Sequence, residues 1–66
     1  MDRPKYQTEV ISERIELSNK LNALKTFMHT NVYQALACDE RVLLILQADA
    51  MNEYLNILNM RIATFK

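Results

Sequence analysis

The second half of the chain carries apolar residues in alternating steps of four and three. This row consists of Leu44, Ala48, Met51, Leu55, Leu58, Ile62 and Phe65. Such an alternation is typical of an α-helix that buries one face, because side chains three and four residues apart lie on the same side. The pattern predicts a helix over about residues 40–65 whose buried row forms the core or an oligomer contact.

A similar but interrupted row runs along the first half. It consists of Val10, Leu17, Leu21, Leu24 and Met28, with Arg14 in the one slot where an apolar residue is expected. Pro4 is the chain's single proline, and proline is tolerated in the first turn of a helix. The pattern predicts a helix over about residues 5–29.

A connector over residues 30–39 separates the two predicted helices. Thr30 begins it with a side chain that competes with the helical backbone. Residues 32–37 are compatible with one short turn of helix, in which Tyr33 and Leu36 close the end of the molecule. Two helices of similar length with a short connector predict a single all-α domain over residues 1–66, an antiparallel helical hairpin.

The predicted second helix carries a wider apolar face than one partner helix covers. A second row lies beside the first and consists of Leu43, Ala50, Tyr54 and Ile57, with Gln47 and Arg61 interleaved. A contiguous exposed patch of this size is unusual for a monomer, and burying each large apolar side chain gains roughly 1.5–3 kcal/mol. We therefore expect hairpins to assemble into a helical-bundle homo-oligomer. The alternative is a monomer whose connector folds back over the second row.

Composition narrows the function classes. Half of the residues are hydrophobic and none is glycine, which suits long uninterrupted helices. Eight basic and eight acidic residues cancel, which argues against DNA or RNA binding. No apolar run approaches the roughly 18 residues that a membrane helix needs, so no membrane contact is expected.

The single cysteine limits the chemistry. Cys38 cannot form an intrachain disulfide, and a free thiol fits a reducing cytoplasm. With His29 as the single histidine, no tetrahedral metal set is completed, so neither a metal nor another cofactor is expected. We interpret Cys38 as a connector residue, and no third group is evident to orient a Cys–His pair. The sequence contains no catalytic constellation and predicts a non-enzymatic protein.

Polar residues that interrupt apolar rows are the candidate ligand-binding residues. Arg14, Gln47, Tyr54 and Arg61 suggest a polar pocket for an anionic or planar ligand, since arginine binds phosphate bidentately and tyrosine stacks on bases. Weaker candidates are Tyr6 and Lys25. The alternative is a device that fixes helix register, in which a buried arginine pairs with an acid.

For Arg61 the acid would be Glu9 or Glu13 from the antiparallel neighbour. We otherwise interpret Glu9, Glu13 and Glu16 as a solvated face of the first helix.

Two stretches of the sequence resemble a known family. The motifs are Val10-x-x-Glu13-x-x-x-Leu17-x-x-Lys20-Leu21-x-x-Leu24-x-x-Phe27 and Leu43-Leu44-x-x-Gln47-x-x-Ala50-Met51-x-x-Tyr54-x-x-Ile57-Leu58-x-x-Arg61-Ile62. In this order and spacing they resemble a family of very small bacteriophage and prophage proteins that is also found in crAss-like phages. The chain departs from that pattern at Ala37 and Cys38, where a capping residue is usual, and at Val42, Ile45 and Leu46, where charged residues are usual.

The resemblance implies a phage accessory protein that acts in the cytoplasm of the bacterial host. In size and architecture the chain is also similar to anti-CBASS sponge proteins, helical-hairpin oligomers that sequester the cyclic nucleotide signals of host defence. One hypothesis is therefore an oligomer that binds a cyclic oligonucleotide between subunits. A second is an inhibitor of a host defence protein that binds through its apolar helix face. A third is a structural coiled-coil adaptor.

Overall fold

The computed structural model describes residues 3–65, which form three helices. These are α1 (Lys5–Phe27), α2 (Asn31–Ala35) and α3 (Cys38–Ala63). The two long helices pack side by side in opposite directions, and α2 closes one end of the pair. The Cα atoms of the described chain span 51 × 15 × 13 Å, so the molecule is a rod. The predicted all-α hairpin is confirmed, whereas its assembly into an oligomer stays a prediction.

Helix α1 begins after proline and ends before a threonine. The carbonyl of Pro4 accepts hydrogen bonds from the N–H groups of Gln7 and Thr8, at 3.0 and 3.3 Å. At the other end the hydroxyl of Thr30 donates to the carbonyl of Phe27 at 2.6 Å. This hydrogen bond satisfies one backbone carbonyl of the last turn. Helix α1 therefore ends at Phe27, two residues before the predicted boundary.

The short helix α2 holds Tyr33 in the corner between the long helices. Thr30 caps α2, because its side-chain oxygen accepts from the N–H of Tyr33 at 3.2 Å. The Tyr33 ring meets that of Phe27 edge to face, with centroids 6.1 Å apart, and its hydroxyl donates to the carbonyl of Arg41 at 3.4 Å. Tyr33 is buried and Leu36 is half-buried, so both close the end of the hairpin as the pattern predicts.

Helix α3 begins two residues before the predicted boundary. Its N-cap is Ala37, which has no side chain able to accept a hydrogen bond from the first turn. The prediction that Cys38 belongs to the connector is wrong, because Cys38 is the first residue of α3. Asp39 and Glu40 lie in that first turn, where their negative charges interact favourably with the positive end of the helix dipole and stabilise the helix.

The core is one seam between α1 and α3. Val10, Leu17 and Leu21 are buried on α1, and Leu58 on α3 is completely inaccessible to solvent. The other members of the predicted α3 row are buried or half-buried in the same seam: Leu44, Ala48, Met51, Leu55, Ile62 and Phe65. The rings of Tyr6 and Phe65 meet edge to face across the open end, with centroids 5.8 Å apart.

The second row of α3 lies outside this seam. Leu43 is 65% exposed, and Tyr54 and Ile57 are also exposed. The connector reaches only the start of this row, where Leu36 and Leu43 line a common cleft. Among residues 3–65, no helix combines the length and apolar content needed to cross a membrane.

Shortening Leu58 tests the seam. We expect Leu58→Ala to lower the free energy of unfolding by about 2–5 kcal/mol, because the cavity lies at a fully buried position. Leu55→Ala should cost less, because Leu55 is only half-buried. Urea denaturation at a fixed protein concentration measures both. Glu16→Ala is the exposed control, with an expected effect of about 0.3 kcal/mol. A Leu58→Ala variant as stable as this control would contradict the assigned seam.

Residue 37 tests the start of α3. We expect Ala37→Ser to raise the free energy of unfolding by about 1 kcal/mol, because a serine oxygen at the N-cap accepts from a free N–H of the first turn. Cys38→Ser is the matched control, and it should give no such gain because residue 38 already lies inside the helix. A larger gain at residue 38 than at residue 37 in the same urea titration would place the cap one residue later.

Candidate functional site

A hydrogen bond between Tyr54 and Glu13 connects the two long helices. The Tyr54 hydroxyl donates to Oε1 of Glu13, from α3 to α1. Glu13 is half-buried, whereas Glu9 and Glu16 are exposed. The interpretation of all three glutamates as a solvated face is therefore wrong for Glu13.

This contact defines one side of the hairpin, called here the acidic flank. Each helical residue advances by about 100°, and in an antiparallel pair the corresponding sides of both helices meet. The acidic flank carries Tyr6, Glu9, Glu13, Glu16 and Lys20 from α1, and Glu40, Gln47, Tyr54 and Arg61 from α3. Its four carboxylates oppose the approach of an anion to this side.

The opposite side is called here the cationic flank. By the same helical stepping it carries Arg14, Ser18 and Lys25 from α1, and Arg41, Asn52 and Asn59 from α3. The three glutamates in the first half of α1 face the other way, and Asp49 and Glu53 point to the back of α3. A chain with zero formal net charge thus separates its charges between two sides. The cationic flank is the side that favours an anionic ligand.

Arg14 lies at the inner edge of the cationic flank. Its Nε is buried and has no hydrogen-bond partner among residues 3–65. Gln7 lies seven residues earlier and is 6% exposed. Its Oε1 is also buried without a hydrogen-bond partner among residues 3–65, although its Nε2 donates to the Tyr6 hydroxyl at 3.3 Å. Leaving a buried hydrogen-bond donor unsatisfied is costly. A bound oxyanion is a partner to which a guanidinium group donates strong hydrogen bonds.

Arg41 is the residue of this flank that sequence reasoning missed. Its Nε is also buried without a partner in the described part of the chain. The sequence does contain a signal for Arg41. It lies seven residues before Ala48 and therefore occupies the first position of the seam row. The backbone of Arg41 is fixed by Tyr33, whose hydroxyl donates to the Arg41 carbonyl.

Arg61 has no acidic partner within residues 3–65. Glu9 lies 3.9 Å from the ammonium group of Lys5, and Glu13 accepts from Tyr54. Arg61 is exposed in the last turn of α3. The premise of a buried Arg61 paired to Glu9 or Glu13 is therefore wrong within a single chain.

The six predicted ligand-binding residues do not form one pocket in this chain. Gln47, Tyr54, Arg61 and Tyr6 lie on the acidic flank, whereas Arg14 and Lys25 lie on the cationic flank. That these residues bind a ligand stays a prediction.

An open apolar cleft of about 260 Å³ lies near the closed end of the hairpin. It is lined by Leu36, Glu40, Leu43, Leu44 and Gln47. The side chain of Gln47 is oriented along the helix, with Nε2 3.8 Å from the sulfur of Met51. The cleft lies on the acidic side of α3, away from Arg14.

Comparison with known proteins assigns the chain to a family. Residues 4–64 match the family described as Sequestin. This chain belongs to the Sequestin family. It is 36% identical over 61 residues to an Enterobacteria phage T4 protein described as an uncharacterized 7.5 kDa protein in the denB–rIIB intergenic region, covering 92% of this chain and 95% of that protein. No solved structure matches the chain.

Sequestin membership confirms the resemblance to a family of small phage proteins. The Sequestin match covers all three helices and both flanks. The alignment with the T4 relative also covers nearly the full length of both proteins. The similarity to anti-CBASS sponge proteins stays a prediction.

The Tyr54–Glu13 contact in this Sequestin hairpin is testable by a double-mutant cycle. We expect Tyr54→Phe and Glu13→Gln to be non-additive, with a coupling energy of about 0.5–1.5 kcal/mol, because both remove the same hydrogen bond. Urea denaturation of the wild type, both single variants and the double variant measures it. Additive effects would show that the two side chains do not interact in solution.

Proposed function

We propose that this chain is a non-enzymatic phage protein that sequesters a cyclic oligonucleotide signal of host defence in the host cytoplasm. The observation that carries the proposal is the buried Nε of Arg14, which has no hydrogen-bond partner within residues 3–65 and lies on a flank that also holds Lys25 and Arg41. Cyclic oligonucleotides carry phosphodiester charges, and arginine binds such oxyanions with two parallel hydrogen bonds. The family name Sequestin supports a sequestering role.

The charge distribution supports this choice of flank. The chain as a whole has zero formal net charge and does not attract an anion. The positive charges around Arg14 attract one locally, because the acidic side chains of α1 lie on the other flank. Ser18, Asn52 and Asn59 add uncharged donors and acceptors beside the cations. In this proposal the phosphates bind Arg14, and the bases extend toward the neighbouring amide side chains of Asn52 and Asn59.

A second candidate function is inhibition of a host protein. The exposed apolar residues of α3 favour it, because such faces commonly bind other helices. The two functions differ in their ligand, since the second requires no nucleotide and involves the opposite side of the hairpin from Arg14.

A thermal-shift titration with cyclic di- and trinucleotides tests the proposal. A binding nucleotide at a hundred times its dissociation constant should stabilise the wild type by about 2.7 kcal/mol. Arg14→Met should retain the apo fold, since replacing a buried charge by an apolar group is often neutral, and should lose the nucleotide shift. The shift should also weaken with added salt.

Lys20→Met is the matched control, because it removes one positive charge from the acidic flank. An equal loss in Lys20→Met and Arg14→Met would show a general charge effect and contradict the site. Nucleotide released by heating the complex should be chromatographically unchanged, since the proposal involves no reaction. No shift with any of these nucleotides, together with pull-down of a single host protein, would favour the second candidate function.

A further inference from the structure

The outer face of α3 carries an apolar strip turned away from α1. It consists of Leu43, Leu46, Ala50, Ile57 and Met60, spaced by three, four or seven residues. Leu46 is 56% exposed and Met60 is 61% exposed. These residues follow a second helical seam, in addition to the one that holds the hairpin together. A contiguous apolar strip of this kind marks an interaction surface.

A row of polar residues borders the strip at intervals of seven. This polar row consists of Glu40, Gln47, Tyr54 and Arg61. It begins with an acid and ends with a base, about 32 Å apart at 1.5 Å per residue. In the described part of the chain, the ion pair that forms is Lys5–Glu9, at 3.9 Å, so neither end of the row has a partner of opposite charge.

The polar row of one copy is complementary to the polar row of a second copy that runs in the opposite direction. Laid antiparallel against a second α3, it places Glu40 opposite Arg61 at both ends and Gln47 opposite Tyr54 in between. A parallel arrangement would place Glu40 against Glu40 and Arg61 against Arg61, which is repulsive. Two-fold symmetry requires a surface to be complementary to itself, and an antiparallel α3 pair meets that requirement.

The apolar strip agrees with the same register. When Glu40 faces Arg61 of the second copy, Leu43 lies beside Met60 and Leu46 beside Ile57. Glu53 interrupts the strip near its centre, where the small Ala50 of the second copy leaves room for the carboxylate to reach solvent.

We propose that two copies of this chain associate through an antiparallel α3–α3 contact, with the apolar strip at its centre and reciprocal Glu40–Arg61 ion pairs at its ends. The open cleft near Leu43 then receives Met60 of the second copy, whose flexible unbranched side chain suits an irregular apolar hollow. A stable interface buries about 800 Å² per partner, roughly a sixth of the 5174 Å² that the chain exposes. This contact forms without nucleotide and leaves the cationic flank with Arg14 open to the nucleotide of the proposed function.

Charge reversal tests the contact and its direction. Sedimentation equilibrium of the wild type without nucleotide should give a mass at least twice the 7.7 kDa of the chain. Glu40→Arg alone creates two Arg–Arg contacts, and Arg61→Glu alone creates two Glu–Glu contacts. Each should weaken self-association about tenfold or more, because like charges then face each other at both ends.

Mixing the two single variants provides the decisive measurement. In a mixed pair, the introduced arginine of the Glu40→Arg copy faces the introduced glutamate of the Arg61→Glu copy at one end. At the other end the unchanged Arg61 of the first copy faces the unchanged Glu40 of the second, so both ends are matched again. The mixture should recover wild-type association, as should the double variant Glu40→Arg/Arg61→Glu. Recovery also shows that both single variants fold, and circular dichroism checks this independently.

Glu16→Arg is the control, because it makes the same charge change on α1 and should leave the mass unchanged. A wild type that stays monomeric at about 100 μM, well above typical micromolar dimer constants, would overturn the contact. Single variants that associate normally would also overturn it, as would weakened variants that do not recover on mixing. Nucleotide binding is measured separately through Arg14, so failure of the α3 contact and failure of the proposed function are distinguishable.

Discussion

The structure depends on the single seam that two antiparallel helices are able to share. Each helix has one face toward its neighbour, and within residues 3–65 the seam around Leu58 is where side chains of both long helices are removed from solvent together. Across the rod the Cα atoms span 15 Å, the width of one helix pair, which leaves no second layer to cover the outer faces. Whatever this hairpin binds therefore has to be bound on a flank or on the outer face of α3, because the interior is occupied by the seam.

The separation of charge between the flanks follows from the geometry of that seam. Residues one position apart on α1, such as Glu13 and Arg14, lie about 100° apart and emerge on opposite sides of the contact. A neutral chain thereby gains an acidic flank and a cationic flank without any change in composition. The two sides carry different proposed roles, which are phosphate binding on the cationic flank and contact with a second copy of α3 beside the acidic flank.

The long helices and their seam could be predicted from the sequence, because the three–four periodicity of apolar residues is a direct consequence of helix geometry. The caps could not. The start of α3 at Cys38 depends on Ala37, which carries no capping signal, and the end of α1 depends on a hydroxyl of Thr30 that bonds backward to Phe27. Periodicity locates the middle of a helix better than its ends.

The candidate site was only partly predictable for a related reason. Arg14, Tyr54 and Arg61 were recognised as interruptions of apolar rows, but a row in one helix does not show which side of the partner it meets. That information comes from one long-range contact, Tyr54 to Glu13, which fixes the facing sides of both helices. Arg41 was missed because the connector was predicted to extend to residue 39, which placed Arg41 too near a helix end to be counted in the seam.

The corner at Tyr33 has a consequence for how the molecule opens. Tyr33 contacts Phe27 and Arg41, so the corner joins residues that are close in the chain and lose little entropy when they meet. The far end is held by Tyr6 and Phe65, which are separated by most of the sequence. We therefore expect pairing of the helices to begin at the corner, where closing the short loop costs the least entropy. Leu58, the most deeply buried side chain, and Val10 in the same core cluster nevertheless lie nearer the Tyr6–Phe65 end, whereas Leu24 and Leu44 beside the corner are half-buried. The short loop and the best-packed part of the seam therefore stabilise opposite ends of the rod, so protection from hydrogen exchange should extend along both halves of it.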